Sequence, residues 1–229
     1  MSAVLLVPAL AVYRSTERNQ LLRTQTMDAV EALADVVDLR DPYTADHSRR
    51  VADYARALAT GLGLSPDEID LVERAARVHD VGKVVVDIDV LTKEGRLTAD
   101  EWEQLRRHPG TGATILSRFP QFALATGFVR HHHERWDGHG YPDGLAGSKI
   151  PLGARIIAVA DSFDAMASAR PYRAQLPLGT VLEEFRRGRG VQWDDRIVAE
   201  FLDLVHAGQI AAPQNEPAAS PIPIRRVPA

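Results

Sequence analysis

Imidazole and carboxylate groups recur in this chain at positions that helices can deliver to one pocket: His47, the pair His79-Asp80, His108, the pair His132-His133, and Asp161. Such nitrogen and oxygen donors suit borderline first-row divalent metals. A buried Asp beside a His at a helix end costs on the order of several kcal/mol unless a cation offsets it. One carboxylate can also bridge two metals about 3.5–4 Å apart, an arrangement that activates water for attack on a phosphoester. An isolated His-Asp dipeptide would read as a cap or a salt-bridging pair. Here the further histidines and Asp161 need the same explanation, so the set points to a metal-dependent hydrolase.

Within the histidine run, His131 is assigned as the non-ligand, and His139 and His206 are taken as peripheral. Lys83 follows the His-Asp pair by three residues, with Gly82 leaving room. It can set a positive charge against a phosphate, the competing reading being an ordinary surface lysine. Arg170-Pro171-Tyr172-Arg173 offers two guanidiniums near a proline turn, suited to phosphate oxygens or simply to solvent. Asp137-Gly138-His139-Gly140-Tyr141-Pro142 lies among these groups and must turn tightly.

With 229 residues and 45% hydrophobic content, the chain can bury one substantial core. Its formal charge of −4 argues against a generally basic surface, so neither DNA nor RNA is expected as a partner. The absence of cysteine excludes disulfides and thiolate ligands and suits the expected cytoplasmic location. The apolar run from Ala3 to Val12 falls short of the about 20 residues a bilayer span needs. No basic segment precedes it as in a secretory signal, and it reads as a packing segment.

The elements that must position these groups are helical. Thr16 to Arg40 reads as an amphipathic helix with Leu22, Ala29, Leu33 and Val36 as its stripe, ended by Asp41-Pro42. The next helix carries His47 on the same stripe as Val51, Tyr54, Ala55 and Leu58, and stops at Gly61 and Gly63. Ser65, Pro66 and Glu68 form a capping box for a helix that delivers His79 and Asp80 at its end. Val84 to Leu91 reads as an extended connection or short strand. Thr98 and Glu101 cap a helix expected to hold His108 in its last turn. Short helices are expected at Thr114–Phe119 and up to Val129, a longer one from Leu152 to Ala167 around Asp161, and the last ones at Val181–Phe185 and Arg196–Val205. The expectation is a single all-α domain over 41–208, an N-terminal amphipathic segment over 1–40, and a Pro-rich disordered tail over 209–229.

In order and spacing, one set of motifs resembles the HD-GYP domain, a branch of the HD phosphohydrolase superfamily. It comprises His79-Asp80-Val81-Gly82-Lys83, Leu97-Thr98, His108, His132-His133-Glu134, Asp137-Gly138-His139-Gly140-Tyr141-Pro142, Gly144-Leu145, Ile150-Pro151, Ala154-Arg155-Ile156, Ala160-Asp161 and Arg170-Pro171-Tyr172-Arg173. The resemblance runs from about Asp41 to Phe201. It implies an HD-type helical bundle holding iron or manganese, and phosphodiesterase activity on cyclic di-GMP that gives pGpG or GMP. It implies His47, His79, Asp80, His108, His132, His133 and Asp161 as metal ligands, with Asp80 bridging. Lys83, Tyr141, Arg170 and Arg173 match substrate-contacting positions, Asp80 and Lys83 being the catalytic pair. The Gly140–Pro142 loop is implied as a docking point for a diguanylate cyclase-type partner. Apart from the resemblance, the amphipathic N-terminal helix is itself read as a route to a homodimer through a coiled-coil stalk, although its heptads are few.

Three departures stand out. Tyr43 replaces the Glu associated with a third metal, so two ions are expected, with a metal-bridging hydroxide as nucleophile. Asp87-Ile88 stands near the usual Pro-Asp, which leaves that loop's shape open. Trp193-Asp194-Asp195 replaces Phe-Asp-Pro, a change expected to matter little. Two rival readings are a catalytically silent relay that binds nucleotide or a partner, and a hydrolase of another cyclic dinucleotide such as cyclic GMP-AMP.

Overall fold

The computed structural model describes residues 3–40, 46–168 and 175–213, with side chains from Tyr13 onward. Arg170, Arg173 and Tyr43 therefore lie outside the described residues, as does the tail beyond 213. Helix α1 spans Ala3–Arg40, α2 His47–Gly61, α3 Pro66–Arg77, α4 Ile88–Leu91, α5 Ala99–Arg106, α6 His108–Leu116, α7 Thr126–His131, α8 Leu152–Ala167, α9 Leu178–Gly188 and α10 Asp195–His206. No strand occurs among the described residues, so the all-α expectation holds.

Helix α8 is the axis. Ile156, Ile157, Ala160 and Phe163 are fully buried along it. A helix apolar on so much of its surface must be enclosed by others, and α2, α7, α9 and α10 pack around it. Tyr54 of α2 meets Phe163 edge-on at 5.0 Å, Phe163 meets Phe201 of α10 at 5.0 Å, and Phe201 meets Phe185 of α9 at 4.5 Å. Offset and edge-on ring pairs of this kind fix helix spacing more tightly than aliphatic contacts do. The partly buried Asp161 and the buried Asp164 therefore sit on a helix enclosed by the core.

Local signals placed several elements as expected. Both capping boxes form: Ser65 Oγ accepts from Glu68 N, Thr98 Oγ1 accepts from Glu101 N, and each Glu carboxylate accepts the cap residue's own N–H. Helix α2 lacks a cap of its own, and Asp38 of α1 supplies one, accepting from Ser48 N at 3.2 Å and Ser48 Oγ at 2.9 Å.

Other expectations fail for tertiary reasons. In α1 the buried positions are Val30, Ala34 and Val37, whereas Leu22 and Val36 are about half exposed. The small Ala34 lets the helix approach α2 on that face; of the expected stripe, Leu33 packs against the core while Leu22, Ala29 and Val36 face outward. Val84–Leu91 is not extended: residues 81–85 form a 3₁₀ turn and 88–91 a single helical turn. The Arg40 guanidinium donates to the Val84 and Val86 carbonyls at 2.7 and 3.2 Å, groups that a strand partner would otherwise have bound. His108 opens α6 rather than closing α5, and α6 begins earlier than Thr114. Pro109 suits a first helical turn, where its missing N–H costs nothing. Trp193 and Asp194 matter more than expected: Trp193 Nε1 donates to Ser162 Oγ, while Asp194 caps α10 and accepts from Arg155 at 2.5 Å.

Candidate metal centre

Each candidate ligand arrives by a different route. His47 opens α2, His79 and Asp80 leave α3, His108 opens α6, His132 and His133 follow α7, and Asp161 lies in α8. The turn after Asp80 crosses α6 where glycines meet: a Cβ on Gly82 would collide with the His108 carbonyl and the Gly112 amide. That close approach sets Asp80 Oδ1 3.1 Å from His108 Nε2.

Donor atoms from Asp80, His108, His132 and His133 lie within 4.8 Å of one another, as do those from His47, His79 and Asp80. Asp80 belongs to both groups. Asp161 Oδ1 stands 3.3 Å from His47 Nε2, completing the seven residues in one neighbourhood. His79, Asp80, His108 and His132 are all buried.

The ring nitrogens reveal what the cluster is built for. His79, His108 and His132 each turn Nδ1 to the backbone carbonyl three residues earlier, at Ala76, Leu105 and Val129, at 2.8, 2.8 and 2.7 Å. A carbonyl only accepts, so each Nδ1 carries the hydrogen and each ring turns Nε2 inward, where its lone pair can ligate. Two such lone pairs, of His108 and His132, face each other at 3.4 Å, and His79 Nε2 and Asp80 Oδ1 have no hydrogen-bond partner. Lone pairs and a carboxylate oxygen gathered without donors repel one another unless a cation lies among them. The residues present therefore fit divalent metal.

Charge distribution agrees. Burial alone would raise the Asp80 carboxyl, but Lys83, His79 and His108 outweigh it and hold the group well below the usual carboxylate range. Asp161 is likewise held low against burial, chiefly by His47. Burial and the neighbouring imidazoles push His132 far down and His133 to about 3, so both stay neutral and able to donate lone pairs. His47 differs: burial would lower it, yet the bonds it donates to the Asp161 and Asp164 carboxylates raise it to about 10, so a cation bound at Nε2 would have to displace that proton.

Lys83 rests against Asp80, with Nζ 2.8 Å from Oδ2. The Tyr141 ring stacks on His133 at 4.8 Å, and its N–H donates to the His133 carbonyl. That loop is held from behind by Glu134, a buried residue whose carboxylate accepts the N–H groups of Asp143 and Leu145 at 2.8 and 3.1 Å. A Cβ at Gly140 would strike the backbone of Glu134 and Arg135, so only glycine lets the loop lie this close. His131 lies outside the two donor groups that share Asp80, bound to the Gly127 carbonyl and to Asp143; His139 is largely exposed.

Sequence reasoning missed Asp164. Its Oδ2 accepts from His47 Nδ1 at 2.7 Å, and Arg50 grips both its oxygens at 2.6 and 2.9 Å. Its spacing of three residues from Asp161 within one helix was the available signal.

The profile of the HD domain family matches residues 31–197. Among curated proteins the chain is 41% identical over 177 residues to the cyclic di-GMP phosphodiesterase response regulator RpfG of Xanthomonas campestris pv. campestris (strain 8004), covering 76% of this chain and 47% of that protein. It is 36% identical over 184 residues to the 3'3'-cGAMP-specific phosphodiesterase 2 of Vibrio cholerae serotype O1, covering 80% of this chain and 35% of that protein. Among solved structures, the cyclic GMP-AMP-specific phosphodiesterase V-cGAP3 of V. cholerae shares the fold with a TM-score of 0.62 at 20% identity, covering 80% of this chain and 49% of the other. The chain spans less than half the length of these curated relatives. Family profile, relatives and motif order agree: the chain belongs to the HD domain family, in its HD-GYP branch.

Proposed function

We propose that this chain is a metal-dependent phosphodiesterase that hydrolyses cyclic di-GMP to pGpG, GMP or both. The observation that carries the reading is Asp80, shared by two groups of donors in which His79, His108 and His132 give their Nδ1 hydrogens to backbone carbonyls and turn Nε2 inward. His47, His79, Asp80, His108, His132, His133 and Asp161 would hold two divalent ions, iron or manganese, Asp80 being common to both donor groups. Bound there, such ions supply charge neutralisation on phosphoryl oxygens and a water acidic enough to attack near neutral pH.

The chain's own residues do the rest. Asp164 accepts the Nδ1 proton of His47 and fixes its ring. Lys83 brings an ammonium whose three donors can reach a phosphate oxygen as well as Asp80. Arg170 and Arg173, outside the described residues, are proposed as further phosphate contacts. Tyr141 closes the His133 side against bulk water. No separate general base is invoked.

A second reading, hydrolysis of cyclic GMP-AMP, is favoured by the named activity of the 36% identical relative. The silent-relay reading has the complete donor set against it. A diguanylate cyclase-type partner at the Gly140–Pro142 loop remains a proposal, as does a homodimer along α1, which the outward Leu22, Val36 and Leu39 support. Turnover of cyclic di-GMP and cyclic GMP-AMP by manganese- or iron-loaded protein, with metal counted per chain, tests the proposal. Three tightly held ions would overturn the two-ion site, and a relative rate favouring the hybrid would establish the second reading.

A further inference from the structure

Beside the histidine cluster runs a cleft of ≈ 510 Å³ between α5, α6 and the loop after α7, lined by Glu103, Arg106, Thr111, Arg130 and Tyr141 among others. The Tyr141 ring has His133 on one side at 4.8 Å and the Arg106 guanidinium on the other at 5.0 Å. Two stacking steps thus lead from the cluster to Arg106, about the reach of one nucleotide from phosphate to base edge. Arg130 is held by both oxygens of Asp143, and Arg107 leans on Glu103 at 3.6 Å. Arg106, by contrast, has no hydrogen bond or ion pair among the described residues, so its planar fork of donors is unspent. Glu103 lies one turn earlier on the same face of α5, half exposed and held only by that long contact to Arg107.

Guanine presents two adjacent acceptors, O6 and N7, which an arginine fork fits in bidentate fashion. Its neighbouring edge carries N–H donors that a carboxylate accepts. Adenine keeps the N7 acceptor but sets an amino donor in place of O6 against the arginine, and a ring acceptor against the carboxylate. On the cyclic dinucleotide reading above, we propose that this cleft is a guanine subsite. Arg106 reads O6 and N7, Glu103 accepts from the neighbouring edge, and together they select guanine over adenine.

The test compares kcat/KM for cyclic di-GMP and cyclic di-AMP with the metal-loaded full chain. Wild type favours cyclic di-GMP. Arg106→Ala lowers kcat/KM for cyclic di-GMP about 10- to 100-fold and for cyclic di-AMP far less, collapsing the ratio. Arg106→Lys also loses discrimination, because an ammonium keeps the charge but not the fork. Glu103→Gln moves the ratio the same way by a smaller factor. Thermal melts verify each variant; if Arg106→Ala is misfolded, the other two carry the test. Equal losses on both substrates, or a wild-type ratio near one, overturn the subsite. A parallel titration with GMP and AMP separates this claim from the activity it rests on. Turnover of bis(p-nitrophenyl) phosphate but of no cyclic dinucleotide would contradict the proposed function. The titration then decides the subsite alone: GMP preference lost in Arg106→Ala supports it, and equal affinities overturn it.

Discussion

A histidine becomes a metal ligand in one tautomer, and its second nitrogen decides which. Three rings here are set by main-chain carbonyls within their own turn, so the sequence neighbours suffice. His47 alone depends on a distant side chain, Asp164, which Arg50 in turn holds. Asp164→Ala should lower metal affinity about 10- to 100-fold, measured by competition with a chelator, since losses of that size follow when such outer partners are removed. Unchanged affinity would mean that His47 needs no support. The donors themselves were legible, because histidines and aspartates at helix ends carry their chemistry in their type. Asp164 and Glu134 were not, because their roles depend on partners 117 residues away in one case and on a folded loop in the other.

Elements here are positioned by a few close approaches. Gly82→Ala would push the turn after Asp80 off α6, so it should abolish tight metal binding even if the helices persist by circular dichroism. Normal metal stoichiometry in that variant would show the crossing to be dispensable. The loop bearing Tyr141 is anchored by Asp143, whose carboxyl the Arg130 hydrogen bonds, opposed by slight burial and aided by His131, lower to about 2. A carboxyl lowered in the folded state contributes stability above its unfolded value, about 3.9, and loses it as pH falls through that value toward 2. Asp143→Asn should therefore destabilise by no more than about 1 kcal/mol at pH 5–7, the pair being open to solvent. The gap to wild type should narrow as pH falls below about 4 and close near pH 2; thermal melts across that range would refute this by showing a gap that persists. Helix ends marked by capping boxes were readable because a cap is a local device. The phase of α1 and the shape of 84–91 were not, since Ala34 packing and the Arg40 clamp come from contacts between elements.

At the scale of the whole molecule, a helical shell gathers seven donors from five segments, α8 among them, and a long α1 leaves Leu22, Val36 and Leu39 facing outward. None of the helices among the described residues is long and apolar enough to cross a membrane. Should α1 pair with a second copy, Val36→Glu with Leu39→Glu should shift the sedimenting mass from dimer to monomer. A monomeric wild type at tens of micromolar would end that idea. The class of fold was readable because periodicity and stop signals repeat along the chain, whereas the outward face of α1 depends on which neighbours cover it. The most direct measurement is anaerobic loading with iron or manganese, incubation with cyclic di-GMP, and chromatographic separation of the products. The account predicts pGpG or GMP from the wild type, and loss of both product and bound metal in Asp80→Ala. Fully metal-loaded protein that leaves cyclic di-GMP intact, or an Asp80→Ala variant that still cleaves it, would contradict the account.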